Sequence, residues 1–300
     1  MNDFDRDYIN LVQNIVKNGV KQGDRTGAGR INITSSTLSF DMTKGFPLFQ
    51  CKFTPFKNII RELLWFMSGD TNIKPLLDKK VNIWTDDSYN YYVRLYNKYA
   101  DNNLPLLSKE GFVKAIKEGN NDKVFEDIDY NYGDLGKVYG HYWYTQLPEV
   151  INQIKTNPNS ARHRVDCWSP NEQSNLDCAL PPCHYGFQFI CVGDKGLSMV
   201  FNMRSTDTML GLSYNVASYG ALLCLIAKIT NRVPVELVFQ GVNTHIYANH
   251  IESYNQLLSQ KDKTVNSYPK LEIDLTKNGE SMFVLSNYKP NDKVFAPLNT

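Results

Sequence analysis

Cys183 stands in the run Leu180-Pro181-Pro182-Cys183-His184. The two prolines fix φ and remove two backbone donors, so the thiol is held at a rigid strand entrance. A thiol so placed can act as a nucleophile where a cation favours its thiolate; an inert, apolar cysteine is the alternative. Metal binding by Cys178, Cys183 and His184 lacks a second cluster to complete four ligands. Arg204-Ser205-Thr206-Asp207 closes an alternating stretch. Arginine plus serine at a strand end suits a phosphate, and the same arginine near Cys183 would favour the thiolate; a solvated Arg–Asp pair is the plainer reading. Asn215 offers one acceptor and two donors to a pyrimidine edge, or caps a helix. His245 and Tyr247 lie two apart and share a face if extended, as sugar readers or as a core pair. Glu62 sits in an apolar helix, where burial raises a carboxyl pKa and suits it to acid–base work; a structural Glu–Arg pair is the alternative.

These groups need elements to hold them. Residues 4–18 and 56–67 carry apolar side chains at helical spacing, and 30–43 alternate like strands. Residues 149–156 and 246–260 read as helices. Residues 162–168, 184–193, 196–205, 234–242 and two segments within 270–288 read as strands. Residues 216–230 are apolar on nearly every face, which predicts a helix buried in the centre, opened by Asn215. Residues 85–132 are rich in Tyr, Asn, Asp and Lys and read as an inserted helical subdomain. The pattern is α+β without regular βαβ repetition.

The 300 residues include 32 basic and 31 acidic side chains, net +1. Such a balance leaves no electrostatic footprint for duplex nucleic acid or an anionic membrane, so an anionic ligand must be held by local arginines. The polar, acidic start MNDFDRDYIN has no signal-peptide pattern, and no run reaches the ~20 apolar residues of a membrane span. A cytoplasmic location with six reduced cysteines is the expectation.

The sequence resembles the thymidylate synthase family over nearly its whole length. The matching stretches are DRTGAGR (24–30), GFPL (45–48), RELLWFMSGDTNI (61–73), NIW (82–84), GDLGKVYGHYW (133–143), LPPCH (180–184), QF (188–189), RSTDTMLGLSYNVASY (204–219), THIYANH (244–250) and YKP…AP (288–297). The resemblance implies one catalytic domain over 1–300. Its fold would be a large mixed β-sheet packed with helices around one long buried helix, with the helical insertion at 85–132.

The reaction implied is transfer and reduction of the one-carbon unit of 5,10-methylenetetrahydrofolate onto C5 of dUMP, giving dTMP and dihydrofolate. Cys183 would attack C6; Glu62 would assist proton transfers; Tyr139 and His184 would support the water network and removal of the C5 proton. Asn215 would pair with O4 and N3–H of uracil, which favours dUMP over dCMP. Arg25, Arg204 and Ser205 would bind the phosphate, with Gln188 beside them, and His245 and Tyr247 the 3′-hydroxyl. Asp207 would hydrogen-bond the pterin. Ile83, Trp84, Leu180, Gly211, Tyr214, Leu298 and Asn299 would line the folate site. No metal is implied. A homodimer is implied, each subunit lending phosphate-binding arginines to its partner.

The sequence departs from the family at a few points. Of the usual partner-arginine pair only Arg162 is present, the first position being Ala161, and Arg164 is placed to substitute. Asp87 replaces the second tryptophan after NIW, Met203 the usual glutamine, and Leu298-Asn299-Thr300 an apolar end. The tail normally excludes water until hydride transfer. These departures keep two alternatives open: a pyrimidine-nucleotide 5-hydroxymethylase using the same folate, and a nucleotide-binding homologue without turnover.

Overall fold

A computed structural model describes residues 1–24, 27–100, 104–119, 124–125, 127–170 and 177–298. Its helices and strands run, in chain order, α1 (Asp3–Asn18), β1 (Val20–Gln22), β2 (Arg30–Asp41), α2 (Phe56–Ser68), α3 (Lys74–Asp78), α4 (Thr85–Tyr99), α5 (Lys109–Glu118), α6 (Tyr139–Thr156), β3 (Arg164–Asp166), β4 (His184–Val192), β5 (Gly196–Met203), β6 (Thr206–Asp207), α7 (Gly211–Ile229), β7 (Val233–Tyr247), α8 (Ile251–Gln260), β8 (Lys270–Ile273) and β9 (Phe283–Ser286). The chain forms two compact units. Among the described residues, one lies within 1–60, 149–165 and 183–298, and the other within 61–148 and 166–182.

The first unit is built on a mixed seven-stranded sheet in the order β1-β2-β7-β5-β4-β3, with β6 alongside β7. β2 pairs antiparallel with β7, β7 parallel with β5, and β5 antiparallel with β4. α1 packs on β2 and β7, and α7 packs on β5, β6, β7 and β8. α7 is long and apolar enough to cross a membrane, but 78% of its apolar window is buried inside the protein. Its apolar side chains on every face are those of a core helix. An expectation is corrected here: α7 begins at Gly211, one turn before Asn215, so Asn215 is not its N-cap. Leu210 is the N-cap, without a side-chain cap, and the turn before it is closed by the Asp207 carboxylate, which accepts from the Met209 and Leu210 N–H groups.

Other bounds shift for similar reasons. α6 starts ten residues before the expected 149, because Tyr139–Trp143 belongs to the helix although Pro148 lies inside it. β7 runs on to Tyr247, so the helix expected from 246 begins at Ile251.

The side chains of a sheet alternate between its faces. Leu38, Phe40, Leu237, Phe239, Met199 and Phe201 point into the core. Register places the outward set in rows across the strands: Ser35 beside Val242, Thr37 beside Gln240 and Asn202, Ser39 beside Val238, Val200 and Gln188. Of these, Val242 remains 48% exposed.

In the second unit, α4 and α5 face each other through aromatic rings rather than aliphatic ones. Tyr92 stacks on Phe112 with ring centroids 5.1 Å apart and also approaches Phe125 and Tyr130. That is how a stretch poor in aliphatics still closes a small core. Asn72 Nδ2 donates to Tyr132 O at 3.0 Å and to Asp134 Oδ1 at 2.6 Å, tying the loop after α2 to the segment before α6.

Candidate active site

In the first unit, β4 and β5 lie antiparallel with His184 opposite Met203. Cys183 therefore precedes β4 at the sheet end where Arg204 leaves β5. The Arg204 backbone N–H donates to the Cys183 carbonyl at 2.9 Å, and a guanidinium nitrogen lies 3.9 Å from Sγ. The pair was readable as motifs but not as neighbours; strand register makes them neighbours. Cys183 is half-buried, while Cys51, Cys167, Cys178 and Cys224 are buried. A cation against a partly accessible sulfur favours the nucleophilic thiolate. Among the described residues no group of histidine, cysteine and carboxylate side chains could hold a metal ion.

His184, the first residue of β4, is buried. Its Nδ1 lies 2.7 Å from the hydroxyl of Tyr219 on α7. Burial pushes its pKa down to about 3, so the ring is neutral. Tyr219, stacked on Phe201 at 4.3 Å, was not singled out from sequence. It ends the stretch 204–219, and buried helix residues carrying a hydroxyl were the available signal.

Asp207 is not paired on the surface with Arg204. Its Oδ1 accepts from the backbone N–H of Met209 at 2.9 Å and of Leu210 at 3.3 Å and faces His250 Nδ1 at 3.7 Å. Burial pushes the carboxyl up, but His250, His245 and the turn N–H hold it below the usual value. The turn is also held from below: Tyr8 Oη donates to Thr208 O at 2.9 Å and Lys52 Nζ to Met209 O.

His245 and Tyr247 lie on extended backbone at the end of β7, rings 5.0 Å apart. Nδ1 of His245 lies 2.8 Å from Asn243 O, which can only accept, so Nδ1 carries the hydrogen. Nε2 is then a buried acceptor with no hydrogen-bond partner in the structure. Burial lowers the pKa of this ring too. Ser205 Oγ accepts from Asn243 Nδ2 at 3.4 Å, and β6 thereby sits beside the same corner.

Arg162 and Arg164 are both exposed, with His163 and Val165 buried between and after them. Gln188 Nε2 donates to Ala161 O at 3.1 Å, so that side chain is bound to the same segment. Gly211, Tyr214 and Asn215 are half-buried on the first turns of α7. Leu298 is 57% exposed. Arg25 and Asn299 lie outside the described residues.

The second unit holds the other group. Trp84 Nε1 donates to Glu62 Oε1 at 2.8 Å. Burial pushes the Glu62 carboxyl up to about 7, and the indole hydrogen bond opposes that rise. One guanidinium nitrogen of the neighbouring Arg61 donates to Lys79 O at 2.9 Å. Trp84 lies 6.1 Å from Tyr139 and 6.4 Å from Phe66, ring to ring. Ile83 and Leu180 are half-buried.

Comparison with known proteins agrees with the resemblance. The thymidylate synthase family model matches residues 6–300. A thymidylate synthase from Mycoplasma mobile is 42% identical over 272 residues, 89% of this chain and 88% of the relative. One from Listeria monocytogenes is 34% identical over 320 residues, 98% of this chain and 99% of the relative. One from Staphylococcus haemolyticus is 36% identical over 328 residues, 99% of each. The paired thiol and guanidinium of the first unit, the raised carboxyl of the second and these matches end to end make the chain a member of the thymidylate synthase family.

Proposed function

We propose that this chain is a one-carbon transferase that converts dUMP to dTMP through a covalent bond between Cys183 and C6 of the pyrimidine. The observation that carries this reading is the guanidinium of Arg204 at 3.9 Å from the Cys183 sulfur, at the adjoining ends of β4 and β5.

Uracil C5 is a poor nucleophile until C6 is attacked, so covalent catalysis is required. Cys183 bonds to C6 as thiolate; the electron pair of the C5–C6 double bond moves toward O4 and makes C5 electron-rich. Asn215, with both a donor and an acceptor, holds O4 and N3–H and stabilises that charge. Glu62, with a carboxyl near pKa 7, takes and returns protons near neutral pH. Neutral His184 and Tyr139 order the water through which the C5 proton leaves. Expulsion of Cys183 from C6 then restores the ring. Arg204 and Ser205, with Arg25, hold the phosphate. Neutral His245, whose Nε2 accepts, suits a sugar hydroxyl and would be a poor partner for a phosphate.

5,10-Methylenetetrahydrofolate supplies the carbon and the hydride. Asp207, ionised at neutral pH, fits the N–H groups of a pterin. Ile83, Trp84, Leu180, Gly211, Tyr214, Leu298 and Asn299 complete that reading as the apolar lining and tail. The synthase names of the relatives favour methyl over hydroxymethyl transfer.

A homodimer is part of this reading. The outward rows of the sheet, from Thr37, Gln240 and Asn202 to Val242, give a broad weakly charged face that a second copy would cover. The exposed Arg162 and Arg164 would reach the partner's phosphate, Arg164 standing in for the arginine missing at Ala161. The helices of 85–132 are read as an insertion in a single catalytic domain, and the location as cytoplasmic.

Product analysis tests the reaction. Adding dUMP and methylenetetrahydrofolate should produce dihydrofolate by absorbance and a product with the mass of dTMP. Tetrahydrofolate with a product one oxygen heavier would assign hydroxymethylation. Binding of 5-fluoro-dUMP with folate but no adduct at Cys183 would leave only a nucleotide-binding role.

A further inference from the structure

The stretch Thr244–His250 contains a second histidine, to which the proposed reaction gives no task. His250 ends the tight turn Ala248–His250 just before α8, and its side chain is fully buried. Its Nε2 lies 2.7 Å from the carbonyl oxygen of Pro297. A carbonyl only accepts, so Nε2 carries the hydrogen. The other nitrogen, Nδ1, faces Asp207 Oδ1 at 3.7 Å, the separation of an ion pair rather than a hydrogen bond. Asp207 at the end of β6 and Lys52 are the charged groups acting on the ring, and Tyr247 packs against it at 5.4 Å. Burial opposes a charge on His250, but Asp207 and the Pro297 carbonyl outweigh it and raise its basicity, with Lys52 opposing.

The C-terminal segment reaches His250 along a ladder. Gln260 Nε2 donates to Asp292 O at 3.1 Å, Gln256 Nε2 to Lys293 O at 3.1 Å and Ser253 Oγ to Phe295 O at 2.6 Å. His250 to Pro297 O is the next rung. Positions 250, 253, 256 and 260 fall near one face at helical spacing, and the tail runs antiparallel to them. Three rungs are amide or hydroxyl donors whose strength does not change with pH in the neutral range. Among the described residues of this ladder, His250 is the ionisable rung and the one that also faces Asp207.

We propose that His250 is a positioning residue that ties the Asp207 carboxylate to the C-terminal strap, so that the end of the strap is held through Asp207. This rests on the reading above, in which Asp207 meets the pterin and the tail closes over the folate. It would let whatever occupies Asp207 act on the strap across a single buried ring.

The test uses the full chain without substrate, so it stands or falls separately from the reaction. Carboxypeptidase release of Leu298 requires the Pro297–Leu298 bond to come free. Each rate is divided by that of a free peptide of residues 288–300. Proteolysis of this kind tracks the population of the opened state. His250→Leu should speed release about tenfold, the loss expected of a buried hydrogen bond to a charged group. His250→Gln keeps a donor without the charge and should fall between. Asp207→Asn should speed release severalfold although the ladder itself is untouched. In the unaltered chain protection should be lost as pH rises through the raised pKa of His250, while His250→Gln gives a flat profile. If His250→Leu does not fold, Asp207→Asn and the two pH profiles decide. Unchanged release in Asp207→Asn, or a flat profile in the unaltered chain, overturns the proposal.

Discussion

The indole N–H of Trp84 donates to the Glu62 carboxylate at 2.8 Å, and it opposes the burial that lifts this carboxyl to about 7. The sign of a change follows directly. Trp84→Phe keeps an aromatic ring among Trp65, Phe66 and Tyr139 but removes a donor that stabilises the charged form. The Glu62 pKa should therefore rise further. The limb of the kcat–pH profile that reports Glu62 should move to higher pH by about one unit, the equivalent of about 1.4 kcal/mol. A limb that stays in place in Trp84→Phe would show that Glu62 does not govern it.

Arg204 should control the reactivity of Cys183 before any nucleotide binds. With the guanidinium 3.9 Å from sulfur, Arg204→Gln removes the cation that favours the thiolate. Alkylation of Cys183 by iodoacetamide at pH 7 should slow about tenfold. The measurement belongs in a Cys191→Ser background, because Cys191 is the other cysteine that is not buried. Equal alkylation rates with and without the guanidinium would remove it from the activation of the thiol. Cys183→Ala should abolish turnover outright.

Much of this fold was legible because its long elements obey one period. The all-round apolar stretch of α7 and the alternation of β2 left few readings. What failed to appear were relationships set by register and by turns. Nothing in the spacing of Cys183 and Arg204 says that His184 will face Met203. Asn215 looked like a helix cap because asparagine often is one. The helix starts at Gly211, directly after a turn in which the Asp207 carboxylate accepts two N–H groups, upstream of the apolar pattern. Glu62 was legible as a carboxyl in an apolar helix, whereas its indole partner lies 22 residues away. The resemblance to a family supplied roles for single residues; strand register supplied the reasons two of them can act together.

Base preference should follow the Asn215 amide. An amide can donate to O4 and accept from N3–H, whereas a carboxylate only accepts and so fits the amino group of cytosine better than the O4 of uracil. Asn215→Asp should lower kcat/KM for dUMP by roughly tenfold to a hundredfold, the range expected when a buried polar group loses its partner. Turnover or binding of dCMP should gain relative to dUMP. Competition between the two nucleotides in one assay gives the ratio directly, and an unaltered ratio would take base reading away from Asn215. Its position one turn inside α7 means the substitution leaves the helix start intact, so a loss of fold would be unexpected and is checked by circular dichroism.

His184 should make the protein acid-sensitive for a reason separate from catalysis. The ring is neutral and buried, with its pKa pushed down to about 3, whereas in the unfolded chain it titrates near the ordinary value of about 6.5. Between these two values the unfolded state binds a proton that the folded state refuses. Stability therefore falls as pH drops through about 6.5 and continues to fall until about 3. From pH 7 to pH 5 this one group should cost on the order of 2 kcal/mol. His184→Asn keeps a polar atom near the Nδ1 position that meets Tyr219 Oη and removes the titration. The variant should be less stable at pH 7 yet lose less on going to pH 5, and urea unfolding at both pH values measures the difference in slope. Parallel losses in the two proteins would mean that the folded state accepts the proton after all, through a rearranged Tyr219 contact or a ring that turns toward solvent.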